Sequence, residues 1–215
     1  HVPTGTYTYL LADSDAHQAV VIEPVAENLD VVTAVIHEAG VDLRFVLLSH
    51  SHPHGLSGAA TLRQRTGAMI VTARACASPL ADLRVDHGAS VVFGEEVIHV
   101  IGTPGHTACS VCYRWHDRLF TGDTLLIGGC GDARPPEGHA GKLYDSVMSR
   151  LFVLPAETLV FPGFDAHGRR VSTIGQEKTI NERFADRGRD AFIALMAATA
   201  GDPLLQPDRR GGPTP

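Results

Sequence analysis

Ser49-His50-Ser51-His52-Pro53-His54-Gly55 follows an apolar run, Phe45-Val46-Leu47-Leu48, and precedes a segment of helical pattern starting near Leu56. Three imidazoles at alternating positions, in a turn just past a buried strand, suit a metal site. Neutral imidazole is the commonest metal ligand; one ring nitrogen meets the ion and the other meets a supporting acceptor. In extended backbone i and i+2 share a face, so His50 and His52 can reach one ion together. Pro53 and Gly55 let the chain turn sharply into the helix. The competing reading is a solvated histidine-rich loop, and the rest of the chain decides between them.

The chain has 215 residues, 44% hydrophobic and 20% charged, which suits one globular domain over 1–201. Residues 202–215, rich in Pro, Gly and Arg, read as a frayed tail. A formal net charge of -6 argues against nucleic acid as a partner, since a phosphate footprint needs a basic face. No apolar run approaches a membrane span, and no signal-peptide pattern opens the chain. The four cysteines, Cys76, Cys109, Cys112 and Cys130, show no secreted disulfide framework, so a reducing cytoplasm is expected. Cys109-Ser110-Val111-Cys112 has the CxxC form of a redox pair. It runs into a strand pattern instead of a helix, so buried, unreactive thiols are expected.

Thr6–Leu11 and Gln18–Ile22 read as a hairpin around Asp13-Ser14-Asp15. Glu27–Gly40 has helical apolar spacing and Leu43–Leu48 is a buried strand. Leu56–Arg65 reads as helix and Met69–Thr72 as strand. Two further strand pairs are expected, Ser90–Phe93 with Val97–Ile101 and Cys109–Trp115 with Leu119–Thr121. His139–Leu154 reads as helix, Thr158–Phe161 as a last strand, then helices over Thr173–Phe184 and Arg189–Ala198. Strands open both halves and helices follow them, which predicts an α/β sandwich with two sheets inside and helices outside.

Three more loops past predicted strands carry metal-competent residues. They are Thr103-Pro104-Gly105-His106-Thr107, Thr121-Gly122-Asp123-Thr124 and Phe161-Pro162-Gly163-Phe164-Asp165-Ala166-His167-Gly168. Ligands drawn from several strand ends onto one sheet edge are how α/β proteins build sites. His106 alone reads as a capped surface histidine, and Asp123 alone as a turn aspartate. Joined to His50 and His52, they supply two or three imidazoles and one carboxylate.

His50-x-His52, Thr103-Pro104-Gly105-His106-Thr107 and Thr121-Gly122-Asp123, in that order, resemble the motifs of the metallo-β-lactamase superfamily. The resemblance covers almost the whole chain and is nearest to the persulfide dioxygenase branch, beside the glyoxalase II-type thioester hydrolases. Ile22-Glu23-Pro24-Val25, Leu125-Leu126-Ile127-Gly128-Gly129-Cys130-Gly131, Lys142-Leu143-Tyr144-Asp145-Ser146-Val147 and Val171-Ser172-Thr173 carry the branch likeness. It implies an αββα sandwich of two mixed sheets flanked by helices. It also implies one Fe(II), with Zn as a possible substitute, held by His50, His106 and Asp123 beside a small-molecule thiol or persulfide substrate and O2. Relatives often dimerise, so a homodimer is a further expectation.

The resemblance also implies where the chain departs. The superfamily motif continues His-x-Asp-His to serve a second metal, and those last positions are His54 and Gly55 here; the late second-metal histidine falls on Phe164. A two-metal hydrolytic site is therefore dismantled, which favours one-metal chemistry. His52 is either a ligand or a neighbour of the ligands; His54 is a new ligand, a proton shuttle or a neutral replacement. The family's Arg after Cys-Gly and acid two positions on are exchanged, as Asp132-Ala133-Arg134, and a family tyrosine is Ala166. Arg134, Tyr144 and His167 are candidates for substrate contact, and Cys130 is either a structural thiol or one within reach of substrate sulfur. The expected activity is a mononuclear iron dioxygenase that oxidises a small persulfide to sulfite and thiol. The alternatives are a single-metal thioester hydrolase and a non-catalytic or specialised relative.

Overall fold

The computed structural model describes residues 5–51 and 58–199. One sheet runs in the order β1 (Tyr9–Asp13), β2 (Gln18–Ile22), β3 (Asp42–Leu47), β4 (Met69–Ala73), β5 (Leu83–Val85). β1 and β2 form the expected hairpin, closed where Asp13 Oδ1 accepts the Asp15 and Ala16 N–H groups, each at 3.0 Å. The remaining neighbours, β2 with β3, β3 with β4 and β4 with β5, are parallel. The second sheet comprises β6 (Ser90–Phe93), β7 (Glu96–Gly102), β8 (Val111–Trp115), β9 (Arg118–Gly122), β10 (Leu159–Pro162) and β11 (Ser172–Thr173), in the order β11-β10-β9-β8-β7-β6. It is antiparallel except between β9 and β10.

Side-chain alternation along the strands builds three apolar layers. Val20, Ile22, Leu47 and Val71 face Phe93, Ile98, Val100, Val111, Tyr113 and Phe120 between the sheets. On the opposite face of the first sheet, Ala19, Val21, Val46 and Ile70 meet Leu29 and Ile36 of α1 (Leu29–Glu38) and Ala59 and Leu62 of α2 (Ala59–Thr66). On the outer face of the second sheet, Cys112, Leu119 and Val160 meet α3 (Ala140–Ser146), α4 (Ile174–Ile180) and α5 (Arg189–Ala198) through Leu143, Ile174, Phe192 and Met196. The two-sheet, helix-flanked sandwich expected from the residue pattern is the architecture observed.

Several elements differ from expectation. The helix expected over 139–154 is α3 followed by a π-helical turn, Val147–Leu151, closed by Phe152 N–H to Val147 O at 2.8 Å. That wider turn keeps Val147 and Leu151 both buried. β5 was not expected; it is a short, mostly exposed edge strand. The neighbouring turn is fastened by Arg84, whose guanidinium donates to Cys76 O at 2.6 Å and Ser78 O at 2.9 Å. The start of the expected 56–65 helix and the tail over 202–215 lie outside the described residues.

The cysteine expectation needs correction. Cys76 and Cys109 form a disulfide with Cα atoms 5.0 Å apart, whereas Cys112 and Cys130 are free thiols. Entry into β8 sends Cys109 to the inter-sheet layer and Cys112 to the outer layer, so the CxxC pair faces opposite ways. Spacing along a chain does not encode such a partner 33 residues away.

The sheets are also pinned to each other where β3 ends. The fully buried Tyr113 hydroxyl of β8 donates to Leu48 O at 2.8 Å, and Val111 N–H donates to Ser49 O at 2.8 Å. Tyr113→Phe leaves the Leu48 carbonyl without its donor. It is expected to cost about 1–3 kcal/mol, read as a shift in the urea unfolding midpoint with unchanged slope.

Candidate metal centre

The centre is assembled from three strand ends. Past β3, Leu48 N–H makes a last rung to Val71 O at 3.0 Å, and the chain then leaves the sheet. Glu23, at the end of β2 and held at φ 51°, accepts the Ser49 N–H with its carboxylate. Ser49 Oγ pairs with His50 Nδ1 at 2.9 Å, which turns Nε2 of that ring towards Asp123. A histidine whose Nδ1 is committed to a protein oxygen presents Nε2 in a fixed direction, as a ligand requires.

His106 rides on a tight turn between β7 and β8 and is 7% exposed. Its Nδ1 pairs with the Asp132 carbonyl at 2.5 Å, and its Nε2 lies 3.7 Å from Asp123 Oδ2. The π-turn side of the molecule holds this loop: Ser146 Oγ donates to Pro104 O at 2.8 Å and Arg150 donates to Gly102 O. The Asp132 loop is fixed in turn by Gly131 N–H to Asp123 O at 2.8 Å. A Cβ at Gly131 would stand 2.8 Å from His106 Nδ1, so the carbonyl contact requires glycine there.

Asp123 follows β9 through Gly122, whose φ of 52° favours glycine and whose Cβ position is occupied by Ser49 Oγ. The end of the second sheet therefore packs directly on the residue that orients His50. Asp123 Oδ2 lies 4.0 Å from His50 Nε2, and the two imidazoles meet edge to face with centroids 4.9 Å apart. One ligand atom from each of His50, His106 and Asp123 falls within 4.8 Å of the other two. Atoms that share one ion at about 2.1 Å each lie up to about 4.2 Å apart, so the two carboxylate–imidazole distances fit a common ion. Two imidazoles, each turned by a protein oxygen, and one carboxylate suit Fe(II) or Zn(II).

The remaining candidates are placed differently. His52 and His54 lie outside the described residues. Arg134 is bonded to Asp132, with Nε and Nη2 at 2.7 and 2.6 Å from Oδ2, on the loop that supports His106. Burial alone would raise the Asp132 carboxyl pKa, but the Arg134 hydrogen bond and charge outweigh it and hold the carboxyl below its usual range. Tyr144 donates its hydroxyl to Arg187 O at 2.8 Å and packs on Phe184 and Phe192, within the layer under α5. Cys130 is fully buried beside Met196, and burial pushes its thiol up to about 12. His167 is exposed on a turn organised by buried Asp165, which accepts the His167 N–H at 2.8 Å and pairs with Arg169. The structure thus gathers His50, His106 and Asp123, while Tyr144 and Cys130 sit in the packed layer. Glu23, Ser49 and the Asp132 carbonyl were not assigned roles from the sequence. Position is the signal for two of them, since Ser49 precedes His50 and Glu23 follows the neighbouring strand β2, whereas the Asp132 carbonyl reaches His106 from a loop that no local pattern marks.

The sequence matches the profile of the Metallo-beta-lactamase superfamily over residues 1–163. "Persulfide dioxygenase ETHE1, mitochondrial" of Homo sapiens is 38% identical over 194 residues, 89% of this chain and 76% of that protein. "Probable polyketide biosynthesis zinc-dependent hydrolase BaeB" of Bacillus velezensis is 32% identical over 171 residues, 76% of this chain and 74% of that one. The crystal structure of ETHE1 from Myxococcus xanthus superposes with a TM-score of 0.89 at 40% identity, covering 96% of this chain and 91% of that one. The chain belongs to the metallo-beta-lactamase superfamily. Within that superfamily its likeness is to the persulfide dioxygenases.

The Glu23–Ser49–His50 chain of contacts gives a direct test. Glu23→Ala and Ser49→Ala are each expected to weaken metal binding about 10- to 100-fold, measured by competition with a chromophoric chelator. Titrations matching the parent protein would show that these contacts do not orient the ligand.

Proposed function

We propose that this chain is a persulfide dioxygenase that uses one ferrous ion held by His50, His106 and Asp123. The reaction is R–S–SH + O2 + H2O giving R–SH, sulfite and two protons, with R a small thiol-derived group. The observation that carries this reading is the convergence of three ligand atoms within 4.8 Å, with the far nitrogen of each imidazole taken by a protein oxygen. It joins the 38–40% identity to proteins named as persulfide dioxygenase or ETHE1. Bound at such a site, Fe(II) supplies redox chemistry and open positions for two reactants.

The chain's own residues set the geometry. Ser49 and the Asp132 carbonyl fix the two rings, so the ligand set is organised before substrate arrives and the reactants meet in a constant orientation. Tyr113 and Gly122 hold the two sheet ends at a constant separation. Arg134, part exposed and tied to Asp132 beside the His106 support, is the favoured contact for the non-sulfur end of the substrate. A cytoplasmic location and a homodimer complete the reading. No helix of the described residues is long and apolar enough to cross a membrane.

A hydrolytic reading has one observation behind it, the 32% identity to a relative named as a probable zinc-dependent hydrolase. Oxygen separates the two. Iron-loaded protein given small persulfides in air is expected to consume O2 and release sulfite in equal amounts. His106→Ala should lower that rate at least about a hundredfold, since a lost ligand removes the reacting centre. No uptake with several persulfides, together with anaerobic cleavage of an acyl thioester, would overturn the dioxygenase reading.

A further inference from the structure

The turn that carries His106 is a small rigid body. Thr103 N–H donates to Ser110 O at 2.8 Å and Gly105 N–H donates to Thr107 O at 2.9 Å. Thr107 N–H donates to Ser110 Oγ at 3.1 Å, and the two hydroxyls pair at 2.8 Å. A unit bonded to itself in this way moves as a whole, so the His106 ring goes where the turn is held. On the helix side, Gly105 O accepts His139 N–H at 2.7 Å and Pro104 O accepts the Ser146 hydroxyl. On the other side the turn is held covalently, through Cys109 to Cys76.

Cys76 is a firm anchor. It sits just past β4, with its N–H on Ala73 O at 2.9 Å and its carbonyl on Arg84 at 2.6 Å. β3 and β4 are parallel neighbours, so both leave the first sheet at the same edge. That edge is where His50 stands. The disulfide therefore ties the second-sheet turn bearing His106 to the first-sheet edge bearing His50. Neither buried thiol of the outer layer, Cys112 or Cys130, makes such a link.

We propose that the Cys76–Cys109 disulfide is a redox-sensitive tether that positions His106 against His50, so that thiol redox state sets how tightly the metal is held. Cys76 and Cys109 are positioning residues and touch no reacting atom in this scheme. The reductant is a low-molecular-weight thiol, the chemical class the proposed reaction releases. One thiolate attacks one sulfur of the bond, forming a mixed disulfide and freeing the other cysteine as thiolate. A second thiol then attacks the mixed disulfide. The sum is two R–SH oxidised to R–S–S–R and one cystine reduced to two cysteine thiols. The cysteines are 2% and 8% exposed, so exchange waits on opening of the turn and is slow, on the order of minutes to hours. The inference rests on the metal-centre reading above.

The test uses cobalt(II) as a probe of the metal-free full chain. Mass spectrometry of a non-reduced digest first establishes the 76–109 cross-link. Cobalt is then titrated into three forms. These are the oxidised protein, protein reduced with a phosphine that is removed anaerobically, and the Cys76→Ser/Cys109→Ser double variant. The reduced and double-variant forms are expected to bind with a dissociation constant raised on the order of tenfold, with an altered visible ligand-field band. Reoxidation restores the reduced wild type only. Ile36→Val, in the layer under α1, serves as a stability control that lowers the Tm and leaves both cobalt readouts unchanged. Identical affinity and spectrum in all three forms, or absence of the cross-link, would overturn the tether. Failure of every form to take up cobalt would instead overturn the metal centre on which it rests.

Discussion

Asp123 places one carboxylate oxygen 3.7 and 4.0 Å from two imidazoles supplied by different parts of the chain. That meeting constrains everything around it. With a side chain only 13% exposed, that carboxylate stands where an ion shared with the two rings would lie against it. To make the meeting possible, the end of β9 must lie on the end of β3. Gly122 allows this by leaving room for Ser49 Oγ, and Tyr113 and Val111 bind the Leu48–Ser49 backbone from the second sheet. The packing of the two sheets and the geometry of the centre are thus one problem with one solution.

Around the ligands stands a shell of contacts made mainly by ordinary residues. A strand-end glutamate holds a backbone N–H, a serine turns one ring, and a main-chain carbonyl turns the other. The Asp132–Arg134 pair keeps the carbonyl's loop in place while both partners stay charged. On the outer side, buried Glu177 accepts Gly128 N–H at 2.8 Å and Asn181 Nδ2–H at 2.7 Å, and Asn181 donates to Leu126 and Gly129 carbonyls. This network steadies the loop between Asp123 and Gly131 from behind. The three residues that could hold a metal are therefore supported from well beyond their own loops.

Much of this was legible in the residue pattern because local signals agreed with the tertiary outcome. The Gln18–Ile22 strand and the Arg189–Ala198 helix have the bounds that the apolar spacing implied. The three strand-end motifs pointed to the residues that do converge. The features without a local signal depend on contacts distant in sequence. β5 has two apolar residues and lies beside a turn held by the Arg84 guanidinium, which no local pattern announces. The Cys76–Cys109 pair was hidden because its members lie 33 residues apart and Cys109, entering a strand pattern, reads as a buried, unreactive thiol. Glu23 reads as the end of a strand, and its role exists only once β2 and β3 lie side by side. Tyr144 and Cys130 fell within family-like segments, yet those segments pack the outer layer, where a hydroxyl and a thiol serve the fold.

The central claim is a single ion bound by His50, His106 and Asp123. X-ray absorption at the metal edge, with elemental analysis of the same protein purified without added metal, tests it most directly. The account predicts one metal per chain, a shell of nitrogen and oxygen atoms near 2.1 Å with the scattering of histidine rings, and loss of that scattering in His106→Ala. Two ions per chain with a metal–metal vector, or a shell unchanged when His106 is removed, would contradict it.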